Sequence, residues 1–181
     1  MNADATNVLP ASYRDTIRVL VKYAVVMTVV GLLAGVAFQE SSKKLDYADV
    51  APGVRLEAIL SLALVHGHML VTAVIFPLVL AGALDLARRA GGAELSLGAQ
   101  RWLTRGYLPS VTLTVALMLY KGYHMLLAVR FGERDFAAID AAYFGGVLPL
   151  RHAVCGLVHV AMAVSLIAFG VALWRSFGRK A

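Results

Sequence analysis

From Ala58 to Leu84 the chain carries no Asp, Glu, Lys or Arg. A helix needs ~20 mostly apolar residues to cross the hydrocarbon core of a bilayer. Only a helix or a closed barrel satisfies every backbone N–H and C=O there. A soluble amphipathic helix would present a polar residue every turn along one face. Ala58 to Leu84 has no such face, so the run predicts a transmembrane helix.

Three more runs match it. Tyr23 to Gln39 is charge-free, and Arg18 and Lys22 can snorkel, which extends a first span to about 17–39. The second span is 57–85. In a third, about 103–129, the run from Gly106 to Val129 is interrupted only by Lys121, and a fourth covers 148–174. The chain is 60% hydrophobic and 15% charged, against about 25% charged in soluble domains. The expected fold is all-α: a four-helix transmembrane bundle forming a single domain over 1–181. Phe131 to Tyr143, in the third loop, has room for a short interfacial helix.

Basic residues set the orientation. Arg14, Arg18 and Lys22 precede span one. Arg88, Arg89, Arg101 and Arg105 fill the second loop, and Arg175, Arg179 and Lys180 end the chain. With four spans all three groups share one side, which predicts cytoplasmic N- and C-termini. The first and third loops are close to neutral, with Lys43, Lys44 and Arg55 set against Glu40, Asp46, Asp49 and Glu57, and Arg130, Arg134 and Arg151 against Glu133, Asp135 and Asp140. These loops belong outside. The net charge of +6 therefore reads as topology and lipid headgroups, with no nucleic acid as partner. Cys155 is the single cysteine, so no intrachain disulfide or zinc-finger spacing exists. Met1 to Asp15 is polar and lacks the pattern of a cleavable signal peptide, so the first helix is expected to act as an uncleaved insertion signal.

All five histidines fall within or at the edge of the spans: His66 and His68 in the second, His124 in the third, His152 and His159 in the fourth. Ionisable groups in lipid are costly and mark function. At 1.5 Å per residue, His66 and His68 lie ~14–17 Å from the outer boundary and His159 ~18 Å, while His124 lies ~8 Å in, beside His152. Residues 66 and 68 are about 200° apart on a helix, so one metal ion takes one of them, not both. Tyr120, Lys121 and His124 share one side of the third helix. A lone intramembrane histidine is often a helix-to-helix hydrogen bond; five at matching depths favour a cofactor.

A b-type haem takes an imidazole from each side, and a four-helix bundle offers facing helices. The expected iron ligands are His159 with one of His66 or His68. Lys121 and Arg151 are placed to hold propionates, and Gly67, Gly122 and Gly156 to let a flat macrocycle approach the backbone. His124, His152 and Tyr120 are expected to line a second, outer pocket, where His124, Lys121 and His152 suit quinone oxygens. Tyr120, Tyr123 and Tyr143 read as an outer aromatic belt, and Pro77 and Pro109 as residues that shape their helices. A copper or other transition-metal site using His66 or His68, His159, Met69 and Cys155 is the first alternative. A non-redox carrier or assembly factor with titrating histidines is the second.

The segment Val65-His66-Gly67-His68-Met69-Leu70 resembles the His-x-His segment of an uncharacterised bacterial family of small four-helix membrane proteins. Lys121-Gly122 and Gly156-Leu157-Val158-His159 match further elements of that family. The segment is also similar to the haem-ligand helices of haem–copper oxidases and nitric oxide reductases, which implies haem ligation at His66 or His68. The chain lacks the further spans and metal-site histidines of those enzymes, which argues against oxygen or nitric oxide reduction. The resulting expectation is a multi-pass b-type cytochrome of the bacterial inner membrane, open to homo-oligomerisation. It would exchange electrons between quinone and a periplasmic redox partner.

Overall fold

The computed structural model describes residues 9–45 and 50–178. Asp46, Asp49, Arg179, Lys180 and the segment Met1 to Val8, used above for charge balance and targeting, lie outside the described residues. Among the described residues there are helices and turns and no strands. Four helices are long and apolar enough to cross a membrane: α1 (Ala11–Ser42), α2 (Pro52–Arg89), α3 (Leu97–Arg130) and α5 (Leu148–Phe177). The short helix α4 (Phe136–Ala142) and a 3-10 turn (Tyr143–Gly146) lie between α3 and α5.

Local chemistry accounts for the ends. Pro52 begins α2 in the first turn, where a missing N–H costs nothing. Ser96 caps α3 by accepting from the Ala99 amide, and Asp135 caps α4 by accepting from the Ala138 amide. Two prolines sit inside long helices, Pro77 in α2 and Pro109 in α3. Each is preceded by a turn of π-helix, Met69–Ile75 and Trp102–Tyr107. Proline lacks an N–H and crowds the carbonyl four residues back, so the ladder widens to i→i+5 just before it.

The helices pack in the order α1–α2–α3–α5, while α1 and α5 are at most marginal neighbours. Glycine sets two of these contacts. A Cβ on Gly122 would lie 2.6 Å from Leu62 of α2, and one on Gly106 would run into Ser165 of α5. The backbones approach there as small residues allow in membrane bundles. At the end carrying the α2–α3 loop, buried Gln100 accepts from the Thr16 hydroxyl at 2.9 Å and donates to the Leu95 carbonyl at 3.1 Å. The Ala93 amide donates to the Ser176 carbonyl at 3.0 Å, which ties α5 to the same knot. The opposite end is capped by α4. Outward residues such as Leu33, Leu86, Leu157 and Ile167 are exposed and apolar, as lipid contact requires.

Candidate functional site

The five histidines go to different surroundings. His66 turns towards α1, with Nδ1 3.1 Å from the Gly31 carbonyl and its ring over Gly35, where a Cβ would come within 3.2 Å. His68, two residues on, is exposed on the opposite side of α2, and its Nδ1 is 2.9 Å from the Leu64 carbonyl. His159 is exposed on α5, with Nδ1 2.7 Å from the Cys155 carbonyl. A carbonyl only accepts, so in all three rings Nδ1 is the donor, and in the neutral imidazole Nε2 then keeps its lone pair. Metal-ligating imidazoles are oriented in this way. His124 instead donates from Nε2 to the Ile139 carbonyl of α4 at 2.8 Å, which makes it a pin for the cap.

His159 lies in a groove between α3 and α5 of about 310 Å³, with Thr114, Met118 and Lys121 on one wall and Arg151, His152 and Cys155 on the other. His124 opens on a separate hollow of about 300 Å³ with Ala128, Glu133 and Ile139. His124 and His152 thus line different cavities, not one shared outer pocket. The glycines expected to admit a macrocycle also divide. Gly122 is closed off by Leu62, whereas Gly67 and Gly156 face open space.

The rim of the α3/α5 groove is held by a carboxylate that the sequence showed only as loop charge. Asp140 of α4 receives Arg151 through Nη1 at 2.7 Å and Nη2 at 3.1 Å, and Lys121 Nζ at 3.0 Å. Two cations share one carboxylate, so the rim keeps one positive charge in excess. Hydrogen bonding from Arg151 holds the Asp140 carboxyl below its ordinary value of 3.8; burial, the next effect in size, opposes it, and the hydrogen bond and charge of Lys121 add to the lowering. Tyr143 is buried, not part of an interfacial belt. Its hydroxyl donates to the Leu117 carbonyl at 2.9 Å, Arg151 stacks over its ring, and burial pushes the phenol up to about 12. Tyr120 is half exposed and packs 5.0 Å from the Tyr143 ring.

The depressed Asp140 carboxyl gives a pH signature. Stability from a carboxyl with a lowered folded pKa is present above the unfolded value and lost as pH falls through the folded one. The cap should therefore stay docked at neutral pH and loosen only below about pH 4, where the unfolded carboxyl itself titrates. Protection factors of the α4 amides, hydrogen-exchange rates divided into the intrinsic rate at each pH, measure this. Asp140→Asn should show at pH 7 the lowered protection that the unaltered chain shows only in acid.

Thr114 adds a feature that its residue type alone did not signal. It is 8% exposed, lines the groove, and its hydroxyl has no hydrogen-bond partner among the described residues. Also among the described residues, no three His, Cys, Asp or Glu side chains converge as a metal site.

Residues 17–176 match the model of a family described as protein of unknown function (DUF2871). No curated protein and no solved structure matches the chain.

Proposed function

We propose that this chain, which belongs to the DUF2871 family, is a multi-pass membrane protein that binds b-type haem and exchanges electrons with quinone and an outer-side partner. The groove of His159 carries the reading. Its imidazole has Nε2 free for iron, and Lys121 and Arg151 stand above it at the capped end with spare positive charge. Haem has the same polarity, with a ring for apolar walls and two carboxylates for a cationic rim. The resemblance of Val65 to Leu70 to haem-ligand helices supports the same chemistry on α2. Orientation by the positive-inside rule puts the capped end outside, at the bacterial inner membrane. Haem held by His159, with its propionates at Lys121 and Arg151, would supply one-electron redox chemistry there.

Protein purified in detergent from haem-replete cells is expected to show the Soret and visible bands of bis-imidazole haem, and His159→Ala to lose them. A colourless, haem-free preparation would defeat the reading. Copper found by metal analysis in its place would favour the transition-metal alternative, and a metal-free chain would favour a carrier or assembly role.

Thr114 favours a second reading of the same groove. A buried hydroxyl without a partner loses about 1–3 kcal/mol that a ligand oxygen can restore. The groove opens to lipid, so a quinol ring entering sideways could accept from Thr114 and donate to His159 Nε2. If so, Thr114→Val would weaken quinone binding and leave any haem spectrum unchanged.

A further inference from the structure

We infer that the haem lies between two copies of this chain, held by His68 of one and His159 of the next. This rests on the haem reading above. His66 is half-buried with its ring packed against Gly31 and Gly35 of α1, so the exposed imidazole that α2 has to offer is His68. His159 is also exposed, and α3 packs between the two helices, which puts the ligands on different faces of one protomer. Neither face provides a site alone. The groove beside His159 is about 310 Å³, at the small end of pockets that enclose a drug-sized molecule, and it is open on one side. A macrocycle seated there needs a second wall.

The helix register shows where that wall comes from. Leu62 of α2 and Gly122 of α3 touch and are therefore level. His68 lies six residues further along α2, ~9 Å deeper, level with about residue 116 of the antiparallel α3. The groove around His159 is lined by Thr114, Leu117 and Met118, which bracket that position. Gly106 of α3 and Ser165 of α5 also touch, which puts His159, six residues from Ser165, level with about residue 112, so His68 and His159 lie within about one helical turn of the same depth. A cyclic assembly of a membrane protein has its axis along the bilayer normal and keeps every residue at its own depth, so equal depth is the condition for His68 of one copy to meet His159 of another. Gly67 beside His68 and Gly156 beside His159 have open space where a side chain would be, so a flat ring can lie on the backbone at both half-sites. The assembly also removes a cost, because two lone imidazoles facing acyl chains lack hydrogen-bond partners at Nε2.

The test is complementation. His68→Ala and His159→Ala chains, each with a different affinity tag, are expected to purify without haem when expressed singly. When they are co-expressed and selected through both tags, a two-fold pair regains one intact site of two, and so about half the haem of the unaltered pair. Native mass spectrometry of the unaltered protein should find haem on particles of two or more chains. Haem on single chains, or an unaltered chain that binds haem while the mixed pair stays colourless, would place the site within one protomer and overturn the inference. A haem-free unaltered chain would overturn the haem reading itself.

Discussion

Gly122→Val is expected to destabilise the packing of α3 on α2, and Leu62→Ala to recover part of the loss. A Cβ at position 122 would lie 2.6 Å from both Cγ and Cδ2 of Leu62 and 3.2 Å from its backbone nitrogen. The first two atoms belong to a side chain packed at 3% exposure, and the third cannot move without α2. Overpacking a well-filled interior costs typically about 1–3 kcal/mol. Valine adds branches beyond the Cβ, so the upper part of that range applies. Leu62→Ala alone opens a cavity and costs roughly 2–5 kcal/mol. The double variant should be more stable than the sum of the two losses, because the cavity accepts the added methyl groups and the coupling is between residues in direct contact. Denaturant titration in mixed micelles measures the cycle. Strict additivity would show that α2 and α3 are not held together at this point.

That contact also shows where the sequence stops informing. The charge-free run from Ala58 to Leu84 was enough to read α2 as a span, because in lipid the backbone leaves one option for a single segment. The angular argument at His66 and His68 was also sound as geometry. The two rings leave α2 on opposite sides, one half-buried against α1 and the other exposed. The sequence could not say which neighbour each side meets, since that depends on how close Gly31 and Gly35 let α1 approach. Gly122 had the same ambiguity: a glycine serves a ligand or a helix equally well until the partner atom is known. Asp140 was harder still. As one of three acids set against three bases in the third loop it had no pattern, and its role comes from α4 folding back over Lys121 and Arg151. Thr114 was invisible because an unsatisfied hydroxyl is a property of its surroundings, not of its residue type.

Tyr107→Phe is the other substitution with a large expected effect, and its remedy lies on another helix. In the π-turn of α2 each carbonyl looks to the amide five residues on, as Val71 does to Phe76. The next pair in that series is Thr72 with Pro77, and proline has no N–H. The Thr72 carbonyl is instead taken by the Tyr107 hydroxyl of α3 at 2.6 Å, with Tyr107 itself fully buried. Removing that hydroxyl leaves a carbonyl unpaired where no water reaches, a loss of about 1–3 kcal/mol with the ring packing unchanged. Pro77→Ala restores a backbone donor to α2, whether the segment stays π or tightens to α, and so gives Thr72 a partner within its own helix. The double variant should therefore recover most of what Tyr107→Phe loses. Pro77→Ala in the unaltered background should gain little, since the carbonyl is already satisfied. A Tyr107→Phe chain that unfolds at the same denaturant concentration as the unaltered protein would mean that the Thr72 carbonyl finds another donor, and that the π-turn does not depend on α3.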